Sequence, residues 1–165
     1  MIVYNEPEIK TFLIAHLSPF SAGSNFVIII VDPYFGGHKS QLQLRVEVFL
    51  NFMFQVLNNP KIIWFCNEDK CTPIHTQDVL SIDLSRQGIA VHDRFLFIYD
   101  GNKEQIVSHI HLGGSINSFN IDGNQSLSIM RFSTLKQEEI KEIEHFIQQL
   151  ERIYYLKTSS SNWGC

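Results

Sequence analysis

Phe26 to Val31 (FVIIIV) and Lys61 to Cys66 (KIIWFC) flank a long segment, Ser40 to Leu57, that contains neither Gly nor Pro. The first run is continuous, β-branched and bounded by SAGSN and DPYFGG. Such a run reads as a strand buried on both faces. In the intervening segment Leu44, Val48, Phe52 and Val56 recur at helical spacing, and Phe49 and Met53 widen the stripe. That pattern predicts a helix with a broad apolar face. Strand, helix, strand in this order implies a right-handed crossover and a parallel pair.

Outward from this unit the signals alternate in type. Upstream, Pro7 opens a helix that runs through His16, and Pro19 stops it. Downstream, a weak helix or turn follows Pro73. Ile89 to Tyr99 and Gln105 to Leu112 read as strands joined by Asp100-Gly101-Asn102-Lys103. Gly and Asn tolerate the positive φ of tight hairpins. Ser126 to Phe132 is a further short strand. Leu135 to Tyr155 is a helix with Ile140, Ile143, Ile147, Leu150 and Ile153 on its buried stripe. Ser133 or Thr134 caps it, and Glu138 and Glu139 suit its positive N-terminal end. The expected class is α/β, a mixed sheet sandwiched by helices. One domain over residues 1–157 is expected, with a flexible tail over 158–165.

The 165 residues are 44% hydrophobic and 18% charged, with a net charge of −4. A chain disordered throughout is excluded, because such chains are apolar-poor and charge-rich. The low charge suggests that a partner covers part of the surface, and the 13 Phe residues suit core or interface use. A negative balance argues against sequence-blind wrapping of nucleic acid, which needs a basic face. It leaves room for a local cationic site. The cysteines are Cys66, Cys71 and Cys165, and MIVYNEPEIK lacks the basic and apolar regions of a secretory signal. A reduced, cytoplasmic setting is expected. No apolar run is long enough to cross a bilayer.

The chemistry concentrates in the hairpin. Val91-His92-Asp93-Arg94 opens its first strand, and Gly113-Gly114-Ser115-Ile116-Asn117 follows its second. In a strand His92 and Arg94 share a face. With a two-residue loop at Gly101 and Asn102, His92 stands opposite His111 and Arg94 opposite His109. A slip of one residue moves the second pair to the other face. Gly114 lets backbone approach a ligand, and Ser115 and Asn117 donate hydrogen bonds to anionic oxygens. An imidazole, a fixed cation and neutral donors are the parts that phosphoryl chemistry needs.

At these residues the chain resembles the phospholipase D superfamily, whose motif runs His-x-Lys, Asp, then Gly-Ser-x-Asn. His92-Asp93-Arg94 looks like a variant with Arg for Lys, and Gly114-Ser115-Ile116-Asn117 matches the second part. The likeness extends to a bacterial branch with His-Asp-Arg-Phe at this strand and Asp-Pro-Tyr after the first strand, here His92 to Phe95 and Asp32 to Tyr34. The resemblance implies that His92 is a nucleophile forming a phosphohistidine. It implies that Arg94, Ser115 and Asn117 hold the phosphate, and that two chains pair so that two histidines meet. No metal or other cofactor is required in that mechanism. Three departures stand out, one of them a spacer from Asp100 to Gly114 that is longer than the family's. The position where the family carries its Asp is Tyr99, with Asp100 one later, and Arg is a planar fork where Lys is a point donor.

Other readings compete. His109 and His111 form a His-x-His pair that could ligate zinc with His92. Cys66, Cys71 and His75 have ligand-like spacing but no fourth partner, and Cys66 reads better as a small core residue. Asp32 either orients a catalytic group or makes a turn with Pro33. Gly36-Gly37-His38-Lys39 is better read as a flexible loop than as an anion cradle. The expected function is a metal-independent phosphodiesterase, a homodimer acting on nucleic acid rather than membrane lipid. Asp32, His109, His111 and Gly114 join the substrate site, and Arg45, Lys39 or Arg86 supply further local charge. The alternative is an inactive module of the same fold that dimerises or binds a protein partner.

Overall fold

Strand β2 (Phe26–Val31) lies at the middle of a five-stranded sheet of order β4-β3-β2-β5-β6. Its neighbours are β3 (Lys61–Cys66), parallel to it, and β5 (Arg94–Asp100), antiparallel to it. Strand β4 (Val79–Asp83) extends the parallel side, and β6 (Gln105–Leu112) pairs antiparallel with β5. The sheet is therefore mixed, and the fold is α/β. A separate two-stranded pair joins β1 (Ile2–Val3) to β7 (Met130–Arg131). The helices are α1 (Glu6–Leu17) and α2 (Ser40–Leu57). A 3-10 turn with Pro19 in its first positions closes α1, where the sequence places the stop.

This computed structural model describes residues 2–3, 6–21, 25–35, 40–58, 60–67, 69–85, 88, 91–103, 105–112, 130–131, 145–146, 148–149 and 152. The chain forms two compact units, Met1–Phe132 and Ser133–Cys165. In the second unit the described residues are helical, and Gln149 hydrogen-bonds His145 one turn earlier at 3.2 Å. They fall inside the helix expected over Leu135 to Tyr155. The remainder of that helix, most of Ser126 to Phe132 and the tail lie outside the described residues.

The core forms where both helices meet one face of the sheet. Ile28, Ile30, Ile62, Trp64, Leu96, Ile98, Ile110 and Leu112 pack there with Leu13 and Leu17 of α1. From α2 come Val46, Phe49, Leu50, Met53 and Leu57. This corrects the expected stripe. The buried line centres on Phe49 and Met53, Val48, Phe52 and Val56 flank it, and Leu44 is 52% exposed. The helix is apolar over more than half its circumference, and the sheet selects one line among those on offer. Side chains of the alternate positions, Ile29, Val31, Ile63, Phe65, Phe95 and Phe97, point to the opposite face and are buried too. Burial on both faces is what the unbroken β-branched run predicts.

Of the helix or turn expected after Pro73, the turn forms: residues 74–80 make a tight hairpin into β4. His75 bridges Leu80, and the Ser81 hydroxyl donates to the Ile74 carbonyl at 2.6 Å while accepting its N–H at 2.9 Å. The strand expected from Ile89 begins only at Arg94.

The hairpin turn is also longer than two residues. Asp100 pairs with Gln105, and a bulge between Ile98 and Tyr99 shifts the ladder. The Asp100 carboxylate accepts the N–H groups of Asn102 at 2.9 Å and Lys103 at 3.3 Å, so it closes the turn from within. Gly101 sits against the segment before β2, donating its N–H to the Asn25 carbonyl at 2.9 Å. A Cβ there would lie 2.8 Å from the Asn25 amide nitrogen and 3.1 Å from its backbone oxygen. The amide can swing away but the carbonyl cannot. Gly101→Ala is expected to destabilise the fold by about 1–2 kcal/mol, as overpacking does. A urea midpoint equal to wild type would show that the turn moves freely off Asn25.

Candidate functional site

Adjacent positions along the sheet register place a row of side chains at one edge. Val31 pairs with Phe95, so Asp32, the next residue, comes level with Arg94 at the start of β5. Cys66 pairs with Asp83 at the ends of β3 and β4. Asp83, Cys66, Asp32 and Arg94 thus lie across four neighbouring strands, where the parallel strands have their carboxyl ends. The chain runs from β2 outward through β3 and β4 and then returns to the other side of β2 as β5. Ligands of open α/β sheets collect at such a reversal, outside the strand ends.

Asp32 is fully buried. Its carboxylate accepts the Tyr34 N–H at 3.1 Å and stands 3.6 Å from Arg94 Nε. Its backbone is held as well. The Asp32 N–H donates to the Phe65 carbonyl, and its own carbonyl accepts the Trp64 indole N–H at 3.2 Å and the Phe35 N–H at 3.3 Å. The turn role and the orienting role read from the sequence therefore coexist in one side chain. The Arg94 guanidinium lies over the Tyr34 ring, 5.2 Å from its centroid. Its Nε is buried and makes no hydrogen bond among the described residues. A guanidinium gripped by a carboxylate at one end and an aromatic face alongside is a fixed cation. His92, two residues earlier, is exposed in the coil that leads into β5.

The histidine cluster expected on one face does not form. Because of the four-residue loop and the bulge, His111 pairs with Phe95 and His109 with Phe97, while Arg94 pairs with Leu112. His109 and His111 therefore take the face opposite Arg94, as the one-residue slip would have it. His111 stacks on Phe95 at 5.0 Å, with its Nε2 3.7 Å from the Asp93 carboxylate. The zinc reading with His92 loses its geometry too. Among the described residues no group of three His, Cys, Asp or Glu side chains could hold a metal. Asp100 lies at the other end of β5 and serves the turn. Leu112, opposite Arg94, is the last residue of β6, and Gly114, Ser115 and Asn117 follow it outside the described residues. Lys39, Arg86 and the Gly36 to Lys39 loop also lie outside them. Arg45 is described, half-buried on α2.

Neither Tyr34 nor Asp83 is among the site residues expected from the sequence, and Cys71 enters there only through its ligand-like spacing with Cys66 and His75. Tyr34 was inside the quoted Asp-Pro-Tyr segment, and that was the signal to follow. Asp83 carried no local signal. It is buried, and its carboxylate accepts the N–H and hydroxyl of Ser85 at 3.0 and 2.7 Å.

A second polar group lies apart from this row. His16 of α1 contacts the Ser108 hydroxyl through Nε2 at 2.6 Å and stacks on Phe12. Burial, reinforced by the nearby His109, holds His16 below the ordinary imidazole range, and burial does the same for His109. Both bind protons more readily in the unfolded chain. Stability is therefore full above an unfolded pKa of about 6.5 and is lost as pH falls below it toward the lowered folded values. The urea midpoint is expected to drop between about pH 7.5 and about pH 5, and less so in His109→Phe. A drop as large in that variant as in wild type would assign the effect to other groups.

Comparison of the chain with protein-family profiles, with curated proteins and with solved structures gave no match in any of the three. Among the described residues no helix is long and apolar enough to cross a membrane.

Proposed function

We propose that the chain is a phospholipase D-like phosphodiesterase that acts on nucleic acid as a homodimer, without a metal. The observation that supports it is the Arg94 guanidinium, fixed by buried Asp32 and Tyr34 at the sheet reversal, with exposed His92 two residues away. A fixed cation beside an exposed imidazole suits a phosphodiester. An imidazole nitrogen of His92 attacks phosphorus, the bond to the leaving oxygen breaks, and the partner chain's equivalent histidine gives that oxygen a proton. Water then cleaves the phosphorus–nitrogen bond. Arg94 offsets charge on the phosphoryl oxygens, with Ser115 and Asn117 as neutral donors. His109 and His111 take no part in this reading, because they occupy the other face.

The test is hydrolysis of a generic phosphodiester and of single- and double-stranded DNA in excess chelator. Wild type is expected to turn over and His92→Ala to lose turnover while its unfolding curve stays unchanged. Turnover near wild type in that variant would sink the mechanism. One observation favours the alternative, a binding module of the same fold. Asp100, the nearest counterpart of the motif Asp, is consumed in closing the turn. A folded dimer of wild type that cleaves none of these substrates would select that alternative.

A further inference from the structure

The edge row contains a feature that the phosphodiester reading does not use. Cys66 ends β3, and the chain then turns back on itself. The Asn67 carbonyl accepts the N–H groups of Lys70 and Cys71 at 2.9 and 3.0 Å, and the Asn67 side chain accepts the Asp69 N–H at 2.9 Å. The same carbonyl accepts the Cys71 thiol at 3.1 Å. This turn brings Cys71 back beside Cys66, and the two side chains share one buried cluster. Both are fully buried in the same cluster, under a turn whose Asp69, Lys70 and Thr72 are exposed.

We propose that Cys66 and Cys71 form a redox modification site, an adjacent dithiol that peroxide converts to an intrachain disulfide and that thiol reductants restore. This goes beyond the proposed function and does not depend on it. The thiol chemistry is suited to the step. Contact with Cys66, and then a backbone hydrogen bond at Asn67, hold the Cys71 thiol below its ordinary range, against the upward push of burial and of the Asp32 and Asp83 carboxylates. The thiolate is the nucleophile in such reactions. Cys71 sulfur attacks one oxygen of hydrogen peroxide, the O–O bond breaks, and a sulfenic acid and one water result. Cys66 sulfur then displaces the sulfenic oxygen as a second water. Two S–H bonds are lost, one S–S bond forms, and two electrons pass to the peroxide. The exposed turn above the pair can open locally to admit the oxidant, which the surrounding strands cannot.

Lys70 lies between the two cysteines, which makes the test direct. The full chain is treated with hydrogen peroxide, free thiols are alkylated, and the protein is digested with trypsin without reduction. Cleavage after Lys70 separates the two residues. The expected result is a linked pair, the peptide Ile62 to Lys70 joined to the peptide Cys71 to Arg86, in most molecules. A thiol reductant should split it, and it should form equally in Cys165→Ser. Recovery of Cys66 and Cys71 both alkylated, while Cys165 oxidises, would overturn the proposal. So would links that run only to Cys165, or sulfinic acid at Cys71 with Cys66 untouched.

Discussion

Asp32→Ala is expected to destabilise the fold by about 3 kcal/mol, the low end for removing one partner of a buried ion pair. The reason lies in what is left behind. Asp32 is fully buried, and Arg94 faces it with 24% of its side chain in water. An arginine side chain brings a fixed charge that needs a partner or water. Without Asp32 its Nε keeps a buried charge with no hydrogen bond among the described residues. Residual solvent access is what holds the effect below the upper end of the range. The Tyr34 N–H loses its side-chain acceptor as well, so the turn that puts an aromatic ring beneath Arg94 loosens. Asp32→Asn keeps that acceptor and removes only the charge, so it should fall between alanine and wild type. The decisive comparison is the double variant Asp32→Ala with Arg94→Leu. If the loss comes from an orphaned charge, the double variant should regain much of it, because no charge remains to be solvated. Additive losses in urea unfolding would show instead that the two side chains act independently.

The elements legible in the sequence are those in which local and nonlocal preferences agree. Strand β2, helix α2 and strand β3 have the bounds that their residues indicate. Each is an uninterrupted run of one pattern, closed by turn residues. Strand β4 was missed because its burial is not written in apolar residues. Ser81 and Asp83 are buried there, and their polar groups are satisfied by the Ile74 backbone and by Ser85, partners that no local window identifies. The hairpin shows the opposite failure. Asp-Gly-Asn-Lys reads as a tight turn, yet the Asp100 carboxylate collects two backbone donors and makes a longer one. The longer loop shifts the pairing by two residues and keeps the faces, and the bulge between Ile98 and Tyr99 adds the one residue that turns the histidines to the other face. His92, Arg94 and Asp32 were visible because they sit in short motifs. Cys66, Cys71 and Asp83 join the same edge only through strand pairing and a turn, and spacing alone does not carry that information.

The core and the site meet at Trp64, and its replacement should have the largest effect on stability. Trp64 is 1% exposed. Its indole stacks edge-on against Phe35 at 5.2 Å, and Phe35 does the same against Phe49 of α2 at 5.5 Å. Trp64→Ala removes the sheet end of this aromatic chain and opens a cavity between sheet and helix, at a cost of about 3–5 kcal/mol. Trp64→Phe separates two contributions. It keeps most of the apolar volume but deletes the N–H that the Asp32 carbonyl accepts. That carbonyl retains the Phe35 N–H, so no group is left wholly unsatisfied, and the expected loss is about 1–2 kcal/mol. The consequence for the site should be larger than that figure suggests. The indole N–H fixes the backbone of the residue whose carboxylate fixes Arg94, so the guanidinium inherits its position from the core. If so, Asp32→Asn should weaken stability less in the Trp64→Phe background than in wild type, because the carboxylate there is already less well placed. Equal effects in the two backgrounds would mean that the edge row is held by the strand ends alone, independently of the packing beneath it.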